Sequence, residues 1–120
     1  MRAFIEKIQA AENVSFEDTM AIIAANYHYQ PTEFSNGLAE DKLLNQPGVN
    51  EGSCKLFAFA KCQQFDQAQT LRLFGDYYRI DVLGNPTGSD HKNIRHFMKY
   101  GWQGIDFKGD ALVAIQKPCA

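Results

Sequence analysis

Phe4, Ile5 and Ile8 fall on one side of a helical wheel, which predicts a short opening helix interrupted at Asn13. Phe16, Met20, Ile23 and Tyr27 recur at helical spacing and predict a second helix that ends near Asn26. Ser15 is its expected N-cap, and Glu17 and Asp18 complement the dipole in its first turn. Between Tyr27 and Phe34 the aromatics alternate around Pro31 and close on Asn36-Gly37. This reads as a short extended segment, confined to a sheet edge because proline cannot donate to a ladder. Residues 38 to 52 are polar, contain Pro47-Gly48 and Gly52, and predict the longest loop. From Ser53 to Gln64 the density of Leu56, Phe57, Ala58, Phe59 and Ala60 predicts a helix buried on most sides.

Asp66 and Gln69 have the spacing of a capping box opening a helix that carries Leu71 and Phe74, with Gly75 just beyond its end. Asp76 is placed to cap a further helix through Tyr77, Tyr78, Val82 and Leu83. Gly84-Asn85-Pro86-Thr87-Gly88 is a turn signal. Ser89 or Asp90 then caps a helix bearing Ile94, Phe97 and Met98, stopped by Gly101. Ile105 to Lys108, Gly109-Asp110 and Ala111 to Gln116 predict a terminal β-hairpin. The expected fold is α+β: a mainly helical single domain over residues 1–120, with a small antiparallel β-sheet that includes a C-terminal hairpin.

Composition narrows the function classes. A chain of 120 residues with 45% apolar and 22% charged residues can bury a core without disulfides or a structural metal. Twelve Lys and Arg against 14 Asp and Glu give a net charge of −2, and the pI is near 5.9. A chain of that charge lacks the general attraction for nucleic acid or an anionic membrane that a basic face provides. No stretch approaches the roughly 20 apolar residues of a membrane span, and charges interrupt Met1 to Lys7 where a signal peptide needs an apolar run. The expected location is the cytoplasm. Three cysteines, Cys54, Cys62 and Cys119, cannot close a disulfide framework. Cys54 and Cys62 share the predicted apolar helix, where eight residues separate them by about 12 Å of rise, so reduced thiols are expected.

The candidate chemistry centres on Cys54, which follows Gly52-Ser53 at a helix start where free amides and the dipole favour a thiolate. A cysteine nucleophile needs a base, and His91 is the best placed in sequence, beside Asp90. Asn50, Asp76 and Asp81 are alternative polar partners. The competing reading makes Cys54 a small core residue and His91 a loop brace. His91 and His96 are turned about 140° apart on a helix, unlike an i, i+4 metal pair. A set of His28, Asp90 and His91 would require an assumed tertiary contact, so neither a metal nor a cofactor is expected. The loop through Ser89 lacks the ending of a P-loop. With Asp90 and the helix start after it, Ser89 could meet a small anion, although turn and cap roles account for the same residues. Tyr77, Tyr78, Arg79, Tyr100 and Trp102 suit a stacked ligand, a protein interface or a core with polar handles. Phe34 and Trp102 are the aromatics whose exposure would distinguish these. With Asn36, Asn50, Ser53 and Ser89 they make up the candidate binding set, gathered by the 31–37 turn, the 45–54 loop and the 84–91 loop.

Several blocks taken in order carry a resemblance: Phe16-Glu17-Asp18-Thr19-Met20, Pro31 to Gly37, Gly52-Ser53-Cys54-Lys55-Leu56-Phe57-Ala58-Phe59-Ala60, Phe74 to Arg79, Asn85 to Arg95, and Gly101 to Ile105. Together the chain resembles the HopJ type III effector family from about residue 16 to the terminal hairpin. The resemblance implies a small bacterial single-domain protein akin to one delivered into plant cells, with a host protein as partner only where export occurs. It implies no catalytic signature. Type III export signals tend to be Ser-rich and unstructured, whereas Arg2 to Gln9 reads as a charged amphipathic helix with no Ser before Ser15. The expected function is therefore a small soluble binding or interaction domain for a protein or small molecule. The alternative is a cysteine-dependent hydrolase or acyl transferase using Cys54 with His91.

Overall fold

Two capping boxes start helices where the sequence expects them. Ser15 Oγ accepts from the Asp18 amide and Asp18 returns a bond to the Ser15 amide, opening α2 (Phe16–Asn26) behind the amphipathic α1 (Arg2–Gln9). Asp66 and Gln69 exchange the same pair of bonds at the start of α4 (Gln67–Arg72). The computed structural model describes residues 1–115; the predicted strand end at Gln116 and Cys119 lie outside the described residues. Between the two capped helices runs α3 (Glu51–Gln63), whose Leu56, Phe57, Phe59 and Ala60 are fully buried. Phe57 is the hub of the core: its ring lies 5.0 Å from Phe97, 5.5 Å from Phe74 and 5.9 Å from Phe34. Burying each such ring contributes about 2–3 kcal/mol.

The strands correct the expected hairpin. β1 (Tyr27–Tyr29) pairs antiparallel with β5 (Leu112–Ala114), and β2 (Phe34–Asn36) pairs antiparallel with both β3 (Leu43–Asn45) and β4 (Ile105–Phe107). Tyr27 faces Ala114 and Phe34 faces Phe107, so both pairings keep one register. The C-terminal strands therefore run along residues 27–36 as one interrupted ribbon instead of folding onto each other. The ribbon breaks at Pro31, whose missing N–H removes a ladder bond. Gln30 and Glu33 hold the flanks through bonds to Ala111 and Lys108. Phe34 stacked on Phe107 at 5.1 Å gives β4 a buried partner that a hairpin with β5 would not supply. The stretch expected as a long loop also holds structure: a 3-10 turn (Ala39–Asp41) and β3.

After α4 the chain turns at Gly75 into a π-helical segment (Tyr77–Val82), then reaches α5 (Lys92–Tyr100) through the 83–91 loop. Asp76 makes no side-chain cap there, and neither Ser89 nor Asp90 caps α5; the N-cap residue is His91. A second 3-10 turn (Gly101–Gly104) leads into β4. No helix among the described residues is long and apolar enough to cross a membrane. The fold class is α+β, as the sequence predicts.

Candidate functional site

Two helices begin at one place on the surface. The residue before α3 is Asn50 and the residue before α5 is His91, and both adopt left-handed backbone, with φ of 54° and 49°. Asparagine tolerates that conformation; for His91 it costs about 1 kcal/mol or more. Neither residue caps its helix with a side chain, so first-turn amides of both helices are left without an intrahelical or side-chain acceptor. Gly52 and Ser53 of α3, and Lys92, Asn93 and Ile94 of α5, line one open cleft of about 720 Å³. Its apolar side is built by Phe16 at the start of α2, by Phe74 and by Tyr77. Phe16 lies edge-on to Tyr77 at 5.2 Å and stacks near Phe74 at 6.4 Å. Gly52 lets the Phe16 ring pack close against α3: a Cβ there would lie 2.7 Å from the tip of that ring and displace it.

The His91 ring hangs over the cleft at 5.3 Å from Tyr77. Its Nε2 is 3.0 Å from an Asp81 carboxylate oxygen and 3.9 Å from Asp90. Asp81, one of the alternative partners, is thus the hydrogen-bonded one, and it leaves Nδ1 as the remaining ring nitrogen. Asp90 is instead held by Arg95: Nη2 donates to its carboxylate at 2.7 Å and Nε to its carbonyl at 2.6 Å. Arg95 also donates to the Asn85 carbonyl, so one guanidinium fastens the 85–90 loop to α5. The Arg95 hydrogen bond, ahead of smaller charge effects, holds the Asp90 carboxyl below its ordinary value. A carboxyl lowered in the folded chain stabilises it above the unfolded value of about 4 and loses that contribution as pH falls through the folded one. Asp90→Asn is therefore expected to melt below the wild type at pH 7, with the gap narrowing as the pH is lowered below about 4, in melting curves recorded across that range.

Behind the cleft lies a chain of four asparagines. Asn50 Nδ2 donates to Asn45 Oδ1 at 2.7 Å, and Asn45 and Asn93 exchange amide bonds at 3.1 and 2.9 Å. Asn36 Nδ2 donates to both oxygens of Asn93, the backbone one at 2.8 Å. This network ties β2, β3 and the starts of α3 and α5 together, and it fixes where the two helices open.

Of the residues singled out from sequence, Asn50, Ser53, Ser89, Asp90 and His91 come together here, joining the 45–54 and 84–91 loops. The 31–37 segment does not contribute to the lining. Phe34 is only 1% exposed, packed in the core, and Asn36 is fully buried within the asparagine chain. Trp102 is half-buried against Phe97 at 5.2 Å and donates its indole N–H to the Phe65 carbonyl. None of the three lines the cleft.

Cys54 is 1% exposed and does not line the cleft. Its amide makes the first bond of α3, to Asn50, so it sits past the free amides that would favour a thiolate. Burial pushes the thiol above its ordinary value, and Sγ donates to the Thr32 carbonyl at 3.5 Å, a contact that a thiolate would make repulsive. Cys62, on the same helix, is exposed. Alkylation of the folded protein is expected to label Cys62 and spare Cys54 until denaturant is added; fast labelling of Cys54 at pH 7 would contradict this placement.

Sequence reasoning missed Asn45, Asn93, Lys92 and the apolar side at Phe16 and Phe74. Asparagine is poorly suited to a strand, so Asn36 and Asn45 within strands were the available signal. Among the described residues no three His, Cys, Asp or Glu side chains group so as to hold a metal ion.

A family model described as HopJ type III effector protein matches residues 1–112. Among solved structures, the crystal structure of the unknown function protein VPA0580 is similar, with a TM-score of 0.89 and 42% identity over 96% of this chain and 93% of that one. No curated protein matches.

Proposed function

We propose that this chain, which belongs to the HopJ type III effector family, is a binding domain for a small molecule, and that the cleft between the starts of α3 and α5 is its ligand site. The observation that carries this reading is the cleft itself. Its volume of about 720 Å³ lies within the range of roughly 300–1,000 Å³ usual for ligand pockets. One side is aromatic, from Phe16, Phe74 and Tyr77, and the other offers the Ser53 and Ser89 hydroxyls, the His91 imidazole and first-turn amides. A mostly apolar hollow with a few convergent polar groups is what orients a small ligand. The asparagine chain holds those groups in place in advance, which lowers the ordering cost of binding.

The cysteine-dependent alternative needs a thiol facing an imidazole, and Cys54 instead points its proton at Thr32. A cytoplasmic location is part of the proposal: Cys54 and Cys62 are both free, as suits a reducing compartment.

A fragment screen read by thermal shift tests the reading, run in parallel on the wild type and on Ser53→Trp, whose indole would fill the cleft. Circular dichroism confirms that the variant is folded. Hits that raise the wild-type melting temperature and lose their effect in Ser53→Trp support the site. Hits that act equally on both place the ligand elsewhere, and a screen without hits removes the case for a small-molecule site.

A further inference from the structure

The cleft does not end at α5. A second hollow of about 480 Å³ shares Leu43, Ser89 and Lys92 with it, so the two adjoin across the Lys92 side chain. The chemistry of the second hollow is different. It is lined by Lys42, Lys92, Arg95 and His96 on the basic side and by Glu40 and Asp41 on the acidic side. Most of this charge is already spoken for. Arg95 is paired with Asp90 at 2.7 Å. The Asp41 carboxylate accepts from Tyr100 at 2.7 Å and lies 3.3 Å from Lys99 and 3.5 Å from His96. Lys42 and Lys92, by contrast, make no ion pair among the described residues, and Glu40 is the one acidic lining residue likewise unpaired. Two unpaired ammonium groups against one unpaired carboxylate leave this end of the groove electropositive on a chain whose net charge is −2.

We infer that the ligand is an elongated organic anion: a flat apolar body lying in the aromatic cleft, joined to a phosphate- or carboxylate-type group that reaches Lys92 and Lys42 in the second hollow. This rests on the ligand-site reading above and gives its ligand a class. Tyr77, 40% exposed, supplies an aromatic surface at one end of the groove, and such rings bind flat ligands with an apolar face. The lysines at the other end are strongly hydrated point charges that recognise a compact anion. The overall negative charge opposes a polyanion such as a nucleic acid, whose affinity needs many basic contacts. A single anionic group needs only the local pair.

Adenosine 5′-monophosphate, adenosine and inorganic phosphate are suitable probes, because they separate the flat body from the anion. Each is titrated by calorimetry against the wild type and against a Lys42→Gln, Lys92→Gln variant, in which two exposed side chains stay polar and lose their charge. The expected result is that the monophosphate binds the wild type at least tenfold more tightly than either adenosine or phosphate. The double variant is expected to lose that advantage over adenosine. Equal affinity for adenosine and its monophosphate would overturn the inference and leave the ligand site standing. Phosphate binding as tightly as the monophosphate would overturn the elongated ligand, as would a preference that survives in the double variant. Absence of binding by all three overturns the inference alone, since the ligand-site reading is judged by the fragment screen.

Discussion

Replacing Gly75 with alanine is expected to destabilise the fold by about 2–5 kcal/mol. Gly75 has φ of +62°, where an L side chain is strained by about 1–2 kcal/mol. A Cβ there would also lie 2.7 Å from the Phe16 amide nitrogen, 3.0 Å from the Val14 carbonyl and 3.1 Å from the Ser15 carbonyl carbon. All three atoms are backbone, so no rotamer change relieves the contact. Overpacking of this kind adds roughly 1–3 kcal/mol. The displaced strand of chain is the one that caps α2 and carries Phe16 into the cleft, so ligand binding should weaken along with stability. Gly48 provides the control. Its φ is +84°, yet a Cβ there meets nothing within 4 Å, so Gly48→Ala bears the conformational cost alone. Thermal melts should show a drop of about 10 °C or more for Gly75→Ala and a clearly smaller one for Gly48→Ala. Equal drops would mean that the close approach to residues 14–16 is absent.

Asn93→Ala should cost about 2–4 kcal/mol and impair the cleft at the same time. Asn93 is 7% exposed, and its side chain accepts from Asn36 and Asn45 while donating to Asn45. Truncation leaves Asn36 its bond to the Asn93 backbone carbonyl. Asn45 Nδ2 keeps only a long 3.5 Å contact to Leu43, so a buried donor is left nearly unsatisfied. Leaving one such group unpaired costs about 1–3 kcal/mol beyond the lost bond. Asn50→Ala removes the outermost, part-buried link and also places alanine at a left-handed φ of 54°, so it should cost about 1–2 kcal/mol, less than Asn93→Ala. Urea unfolding of both variants checks the order, and a larger loss for Asn50→Ala would show that the network is not anchored at Asn93.

The helical part of the fold is legible in the sequence because its signals are local. Ser15 with Asp18 and Asp66 with Gln69 announce helix starts within four residues, and the run from Leu56 to Ala60 announces burial. The strands are not legible in the same way. Tyr27 pairs with Ala114 and Phe34 with Phe107, and nothing near residue 30 indicates which distant segment completes it. The Gly109-Asp110 turn therefore reads as the tip of a hairpin, although it carries the chain past the Pro31 break. The site divides along the same line. Asn50, Ser53, Ser89, Asp90 and His91 lie beside helix starts, which local rules identify. The pairing of His91 with Asp81, at 3.0 Å, and the Asn45–Asn93 contact depend on how β3 and α5 meet. Cys54 was misplaced because the helix begins at Glu51, earlier than its apolar run suggests. Those two extra residues make the Cys54 amide the first to bond within the helix, past the free amides.

The most direct test of the ligand site is a map of amide chemical-shift changes in ¹⁵N-labelled protein as fragment hits are added. Changes are expected to concentrate at Gly52, Ser53, Asn93 and Ile94, with Tyr77 and Ser89 following. Changes centred instead on the hollow that Val82, Leu83 and Met98 line beside Arg95, or scattered without a focus, would contradict the ligand site.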